Sequence, residues 1–168
     1  MNSAAIVCWL IVGGATIGEK AKQKKAAVCQ TLYELAAVDG LDPVLIVSIA
    51  WHESAFRRRA KSTKGAIGLL QVLPRYFCPQ RRAKNCDTTK AGFKAFRAWS
   101  KLSRNRCLTL CKYNGGHRCG RAARGYARRV AQTYTRAAGG VNRPGLHCPP
   151  SEFVGKTGRR PVRRKRKQ

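Results

Sequence analysis

Residues 51–74, WHESAFRRRAKSTKGAIGLLQVLP, are the stretch around which this chain is organised. They begin where an apolar helical pattern ends, and they place one carboxylate, Glu53, before a basic segment. A glycine-rich run, GAIGLLQ at residues 65–71, follows. Glycines let the backbone approach a bound molecule closely, and a single positioned acid can move a proton. The stretch therefore predicts a general acid/base site.

Four short motifs occur in a fixed order along the chain: ESAF at 53–56, GAIGLLQVLP at 65–74, YNGG at 113–116 and YARRV at 126–130. Together they resemble the motifs of the SLT-type lytic transglycosylases, lysozyme-like enzymes that cut the glycan strands of peptidoglycan. The resemblance covers roughly residues 28–136. It implies a mainly α, lysozyme-like domain of the goose-lysozyme/SLT type at residues 26–138.

The resemblance also implies roles for six residues. Glu53 would be the catalytic acid, and the substrate-binding set would be Ser54, Gln71, Tyr113, Asn114 and, as a weaker member, Tyr126. Structural alternatives stay open for some of them. Ser54 and Asn114 could cap helix ends, and Gln71 could satisfy backbone groups. Glu53 could be a surface acid paired with Arg57 one helical turn later.

The implied reaction cleaves the β-1,4 bond between N-acetylmuramic acid and N-acetylglucosamine without water, and leaves a 1,6-anhydro sugar. Glu53 must begin protonated, so we expect burial near Ile67, Leu69 and Tyr113 to raise its pKa against the pull of nearby cations. Glycoside hydrolysis ordinarily needs two carboxyl groups. The candidates nearest to Glu53 are Asp39, Asp42 and Asp87, of which the last two are placed as helix caps. This scarcity favours a one-acid scheme, which needs no metal or organic cofactor.

Two other functions remain open at this point. One is a hydrolytic muramidase, and the other is a non-catalytic cationic protein that binds the envelope or nucleic acid. We expect a monomer that acts on peptidoglycan after export to the periplasm or cell envelope, or from within a virion. The sequence leaves a phage, a secretion-system and an autolysin context open.

Charge is the unusual feature of the composition, with 35 Lys and Arg against 7 Asp and Glu and a formal net charge of +28. Such a charge attracts polyanions, for which DNA, teichoic acid and anionic membrane are the candidates. Residues 139–168 are rich in Gly, Pro and Arg and offer little to bury. We predict a disordered basic tail there, serving either solubility or polyanion binding.

Residues 1–18 contain no charged side chain, and residues 4–12 are continuously apolar. This run is too short for a comfortable membrane span but suits the core of an export signal. The absence of Lys and Arg before it, and four lysines soon after it, argue against export. An export signal is our first interpretation, followed by an uncleaved anchor and then by a buried N-terminal helix.

Apolar periodicity predicts a helix from Ala26 to Asp39 and a second from Pro43, capped by Asp42, to Glu53. Further helices are predicted at residues 69–72, ended by Pro74, around the stripe Phe93, Phe96, Trp99 and Leu102, at residues 107–113, and along Tyr126, Val130 and Tyr134. We assign His52 to packing rather than catalysis, and His147 has no assigned role.

The chain has eight cysteines, at positions 8, 29, 78, 86, 107, 111, 119 and 148. If Cys8 belongs to a cleaved signal, seven remain, and we expect disulfides with one thiol left over. Cys78 with Cys86 is the simplest pair because it closes a short loop. A zinc cluster of Cys107, Cys111, His117 and Cys119 is the alternative, although its spacing matches no common zinc motif.

Overall fold

A computed structural model describes residues 2–153 of the 168-residue chain. The described part is mainly helical, as predicted, and contains no β-strand beyond two isolated bridges that Ile67 forms with Lys61 and with Val72. Its α-helices are α1 (Ser3–Val12), α2 (Glu19–Val38), α3 (Pro43–Ser54), α4 (Pro74–Phe77), α5 (Thr88–Lys101), α6 (Arg106–Gly115) and α7 (Arg121–Gly139).

Helix α3 lies at the centre of the core and packs against α1, α2 and α7. Every residue from position 43 to position 50 is buried. The Asp42 side chain caps the helix by accepting from the backbone N–H of Leu45, and Pro43 occupies the first turn, where a missing N–H costs nothing. Asp42 also pairs with Arg106 and Arg143, at 3.0 and 3.3 Å. The start of α3 is therefore fixed from two other parts of the chain.

The apolar N-terminal run folds as α1, which packs against α2, α3 and α7. Val7, Cys8, Ile11 and Val12 on this helix are almost completely buried. This is the arrangement expected of a buried N-terminal helix, the third of our interpretations, while export remains a prediction. Within residues 2–153, no helix combines the length and the apolar character that crossing a bilayer would need.

All eight cysteines lie in the described part of the chain, and all are paired: Cys8–Cys29, Cys78–Cys86, Cys107–Cys148 and Cys111–Cys119. The Cys78–Cys86 prediction is confirmed. The expectation of seven cysteines with one free thiol is wrong, because Cys8 belongs to a packed helix and bonds to α2. The zinc alternative is also wrong, since its three cysteines are already in disulfides and no thiolate remains to bind a metal.

Residues 69–72 were predicted to be helical, and this prediction is wrong. They form buried turns, and Pro74 begins the short helix α4 instead of ending one. The reason lies in the backbone: Gly68 has φ +78° and Gln71 has φ +45°, values that a right-handed helix cannot contain. The segment turns back on itself and brings Gln71 to the edge of the core.

Helices α5, α6 and α7 form the second half of the domain, and α6 lies between the other two. Phe93 and Phe96 on α5 are buried, as the apolar stripe predicted. The stripe does not continue as core, however: Leu102 is 55% exposed and Trp99 is half-buried beside a cavity. Residues at the end of a helix lose neighbours when the partner helix diverges, which periodicity alone does not show.

Residues 140–153 run back along α7 and are called the strap here. The Thr135 hydroxyl accepts from the backbone N–H of Leu146, Cys148 is bonded to α6, and Phe153 is buried. The tail predicted from residue 139 is thus, up to Phe153, an ordered part of the domain. The remainder of the predicted tail, residues 154–168, lies outside the described residues.

Candidate active site

Glu53 lies in the last turn of α3, immediately before the chain leaves the helix. Ala55 and Phe56 then adopt left-handed conformations with φ of 48° and 60°, which end the helix sharply. The Lys25 ammonium on α2 donates to the carbonyl oxygen of Ala55 and lies 5.9 Å from the centre of the Trp51 ring. The end of α3 is held as firmly as its start, so the direction of Glu53 is fixed.

The carboxyl group of Glu53 is half-buried, and its burial raises its pKa to about 7. Interaction with the Tyr126 hydroxyl acts in the opposite direction and lowers the pKa by a smaller amount. The direction of this shift agrees with the expectation that burial would raise the pKa of Glu53. An acid with this pKa is partly protonated at neutral pH, so it can both donate and accept a proton there.

Two tyrosines from different helices face Glu53. Tyr113 on α6 donates its hydroxyl to the carbonyl oxygen of Leu70, at 2.7 Å. The hydroxyl of Tyr126 on α7 is buried and makes no hydrogen bond of ordinary geometry within the described residues. Burial, and then the charge of Glu53, raise the pKa of both phenols well above the usual value. Both therefore remain neutral donors beside the acid.

Gln71 reaches the same region from the loop after α3. Its side-chain amide donates to the carbonyl oxygens of Ala60 and Gly68, at 3.2 and 3.0 Å, and so fixes the loop. Gly68 is required here for two reasons: its φ is +78°, and a Cβ atom would lie 2.5 Å from the Thr88 hydroxyl oxygen. The glycine-rich wall that the sequence suggested is a tight loop packed on the start of α5.

A cavity of about 530 Å³ adjoins this loop, and Gln71, Tyr113 and Asn114 contribute to its lining. Its other walls are largely apolar and aromatic, with contributions from Val72, Leu73, Arg75, Tyr76, Phe77, Ala95, Trp99, Gly116 and His117. We call it the cleft. Trp99 and His117 meet edge to face with ring centres 5.0 Å apart, and Tyr76 is 63% exposed. Exposed rings beside polar groups suit the binding of sugars, which present both apolar and hydroxyl faces.

The Transglycosylase SLT domain family model matches residues 30–135, well over half of the chain. This chain belongs to the SLT transglycosylase family. No curated protein and no solved structure matches it. The matched range begins within α2 and ends within α7, and it includes Glu53, the Gln71 loop and both tyrosines.

Membership of the SLT family makes the helical domain lysozyme-like and implies peptidoglycan-cleaving activity of the lytic transglycosylase type. Because SLT domains act on peptidoglycan, it also implies an extracytoplasmic or envelope location. The matched range excludes α1 and the whole strap, so both lie outside the matched SLT domain.

Three of the predicted site residues, Glu53, Ser54 and Tyr126, do not line the cleft itself. Glu53 and Tyr126 lie beside Tyr113, which does line it. Ser54 is 2% exposed, and its hydroxyl donates to the carbonyl oxygen of Ala50 in its own helix, so direct substrate binding by Ser54 is not supported. Its structural alternative was a helix-end cap, and the observed contact is instead a bond to the preceding turn of α3.

Sequence reasoning did not assign Trp99, Tyr76 or His117 to the cleft of this SLT domain. Trp99 was assigned to the core because it continues the stripe of α5, and the position of Tyr76 depends on the short helix α4. His117 lies in the short basic segment that follows YNGG, to which the sequence analysis gave no role in substrate binding.

None of the other six acids contributes to the pKa shift of Glu53. Asp39 pairs with Arg97, Asp42 with two arginines, and Asp87 caps α5. Glu152 accepts from the Asn105 amide, Glu19 lies in the first turn of α2, and Glu34 is on an exposed face of that helix. All seven acids fall within residues 2–153, so the site rests on one carboxylate.

His52 is adjacent to Glu53 in sequence but turns to α7. Its Nε2 and the Thr133 hydroxyl oxygen are 2.9 Å apart, and burial, followed by the charge of Arg129, lowers its pKa. A neutral imidazole in this position packs against α7 and meets the Tyr126 ring edge to face at 6.4 Å. This geometry fits the packing role that the sequence suggested.

Proposed function

We propose that this chain is a lytic transglycosylase that cleaves the β-1,4 bond between N-acetylmuramic acid and N-acetylglucosamine without water. The observation that carries the proposal is the single half-buried Glu53, whose pKa of about 7 lets one group serve as acid and then as base. A direct hydrolysis would need a second carboxyl group to activate water or to form a covalent intermediate.

In the first step, protonated Glu53 donates its proton to the glycosidic oxygen, and the bond from that oxygen to the anomeric carbon of the muramic acid breaks. The substrate's own N-acetyl oxygen bonds to the anomeric carbon as the leaving sugar departs. Glu53, now ionised, faces the neutral Tyr126 hydroxyl, which can donate toward the developing negative charge, while the Tyr113 hydroxyl is engaged with the Leu70 carbonyl oxygen.

In the second step, the Glu53 carboxylate takes the proton from the C6 hydroxyl of the same muramic acid. The C6 oxygen then bonds to the anomeric carbon and displaces the N-acetyl oxygen. The product is a 1,6-anhydro sugar, and Glu53 is returned to its protonated form. No water is consumed, which explains why a site with one carboxylate suffices.

We assign substrate positioning to Gln71 and Asn114, which both line the cleft. The Gln71 nitrogen is already engaged with two backbone carbonyls, which leaves its carbonyl oxygen to accept from an N-acetyl N–H. Tyr113 is tied to Leu70 and so aligns the floor of the cleft with Glu53. Tyr126 acts through Glu53, since its ring is buried.

The test is mass spectrometry of the fragments that the wild type and Glu53→Gln release from purified peptidoglycan in ¹⁸O-labelled water. The wild type should give fragments one water lighter than hydrolysis products, without the label and without a new reducing end. Glu53→Gln should release at least about a thousandfold less. Glu34→Gln, which removes an exposed acid of the same size, should behave as the wild type.

Reducing ends carrying ¹⁸O would replace this proposal with a hydrolytic muramidase. Equal release by Glu53→Gln and wild type would remove Glu53 from the mechanism. If Glu34→Gln lost as much activity as Glu53→Gln, a general effect of charge would explain the loss instead of the removal of a catalytic acid.

A further inference from the structure

A second groove lies on the side of α7 that faces away from Glu53. Arg124 and Arg128 are each two residues from Tyr126, which places them about 160° around the helix from it. Arg121 is one turn before Arg124 and shares its face. These three arginines and Pro150 of the strap line a cavity of about 340 Å³.

A larger cavity lies beside this one, between α7 and the strap, and Arg128 lines both. The second cavity has a volume of about 510 Å³, and its lining residues are Arg128, Ala131, Gln132, Thr135, Arg136, Leu146, His147, Cys148 and Pro149. We call the two cavities together the α7 groove. From Arg121 to Arg136 it extends about 22 Å along the helix, which is long enough for several units of a linear polymer.

No ion pair in the described chain involves an arginine of the α7 groove. The ion pairs that the described residues form belong to Asp39 and Asp42. The acid of the strap, Glu152, accepts from the Asn105 amide and is not paired with an arginine. Three guanidinium groups held along one cavity repel each other, and a bound anion would remove that repulsion.

The α7 groove is preformed, because the strap is fixed at both ends. Thr135 exchanges hydrogen bonds with both the backbone N–H and the carbonyl oxygen of Leu146, at 2.9 and 3.0 Å. The Cys107–Cys148 disulfide ties the middle of the strap to α6. Phe153 is buried, and the Arg128 guanidinium lies 5.8 Å from the centre of its ring. A ligand would therefore meet a groove that needs little ordering.

We propose that the α7 groove binds a linear polyol-phosphate polymer of the teichoic-acid kind, and so holds the enzyme on the wall that carries its substrate. The choice of a wall polymer rests on the proposed function. Arginine recognises phosphate by paired hydrogen bonds, and the apolar lining between the arginines suits a polyol chain. No Phe, Tyr or Trp lines either cavity, and His147 is the one aromatic ring among the lining residues, so the groove lacks the row of aromatic rings on which successive nucleic acid bases stack.

The test compares two triple variants with equal loss of charge. Arg121→Gln, Arg124→Gln and Arg128→Gln together remove the groove's cations. Lys90→Gln, Lys94→Gln and Lys101→Gln remove three exposed cations of α5 and serve as the matched control. Both variants keep residues 154–168 and their basic side chains. The probe is fluorescently labelled poly(glycerol phosphate). Its binding is followed by fluorescence anisotropy at salt concentrations between about 50 and 200 mM.

We expect the groove variant to bind the probe about tenfold less tightly, and its slope of log affinity against log salt to fall by about 2, because three phosphate contacts are lost. The control variant should change the affinity by less than about threefold. Gln132→Glu, which adds an anion to the groove without removing an arginine, should weaken binding in the same direction. Equal loss in both triple variants would overturn the proposal, since net charge alone would then explain binding.

A labelled oligothymidylate with the same number of phosphates is the second probe. If it binds as tightly as the polyol-phosphate and depends equally on the three arginines, the ligand is nucleic acid and the proposal is wrong. Weaker binding of the oligothymidylate supports it. The groove variant should cleave polymer-free peptidoglycan at the wild-type rate. Binding is measured on purified polymer and does not depend on cleavage. The binding result can therefore be interpreted even if the proposed cleavage reaction fails.

Discussion

At the scale of single residues, the chemistry depends on how strongly the surroundings of Glu53 favour its neutral form. Burial raises its pKa to about 7, and the Tyr126 hydroxyl partly opposes that rise. The acid step requires the protonated form. We therefore expect the rate at saturating substrate to fall as the pH rises through about 7.

Tyr126→Phe gives this pH dependence a specific test. The change removes the hydroxyl that lowers the pKa of Glu53 and leaves the ring in place, so the pKa should rise and the fall in rate should move to higher pH. A shift of about half a unit or more is expected. The measurement is the pH–rate profile of both proteins, and Tyr33→Phe on α2 is the control. A shift to lower pH would contradict this account of the acid.

The candidate acid could be predicted from the sequence because the prediction needs only a residue type in a motif. Glu53 and Gln71 are recognisable from their motifs alone. The direction in which a side chain points cannot be recognised from a motif. Ser54 follows Glu53 by one residue, so on a helix its side chain points about 100° away from that of Glu53. This direction turns the Ser54 hydroxyl into the core. Its contact with Ala50 depends on how α3 is buried, and a motif does not encode this.

At the scale of elements, the wall of the cleft after YNGG is held by a disulfide. Cys111 on α6 bonds to Cys119, just beyond the 3-10 turn Gly116–Arg118 that contains His117. Gly115 lies close to this wall, and a Cβ atom there would be 2.5 Å from that of Ala123 on α7. The turn is therefore packed tightly against the start of α7.

Replacing Cys111 and Cys119 with Ser should loosen this turn without touching Glu53. We expect KM for peptidoglycan to rise by about three- to tenfold, because His117 and its contact with Trp99 become less ordered, while kcat changes by less than about twofold. Steady-state kinetics measure both. The double variant Cys78→Ser and Cys86→Ser removes a disulfide loop of the same length and is the control. A fall in kcat alone would show that the turn acts on the chemistry instead.

Element boundaries were predictable where caps and periodicity agree, as for Asp42 at the start of α3. They were not predictable at residues 69–72, where three apolar side chains suggested a helix. Two left-handed residues turn that segment back, and the apolar side chains are buried by turns instead. The Trp99 end of α5 was misassigned for a related reason: periodicity shows which face is apolar but not where the neighbouring helix stops.

At the scale of the whole molecule, α1 and the strap enlarge the SLT domain at both ends of the chain. The two elements contact each other where Gly140, the first residue of the strap, packs on Leu10 of α1. A Cβ atom added at Gly140 would lie 2.3 Å from a methyl carbon of Leu10. The strap was predicted to be a disordered tail, and a buried N-terminal helix was only the third interpretation of the run that forms α1. An apolar run at an N-terminus has the composition of an export signal, and a segment rich in Gly, Pro and Arg has the composition of a tail. In both cases the deciding contact is a disulfide that joins positions far apart in sequence.

Removing the Cys8–Cys29 bond should lower stability and leave the reaction unchanged. A disulfide that closes a loop of this size contributes about 3 kcal/mol, so Cys8→Ser with Cys29→Ser should lower Tm by roughly 6–12 °C. Calorimetry measures this change, and the anhydro product should be the same as for the wild type. An unchanged Tm would show that α1 does not depend on this bond for its packing.

The order of the cysteines along the chain limits the order in which the disulfides can form. Three of the four bonds join neighbours in sequence order, but the Cys107–Cys148 bond encloses the Cys111–Cys119 bond. A chain oxidised strictly as it emerges would join Cys107 to Cys111, which lie one helical turn apart. Once α6 has formed, the side chains of that pair are held farther apart than a disulfide allows. The native Cys107–Cys148 bond therefore forms only after Cys148, which lies beyond the last of the four motifs, has been made.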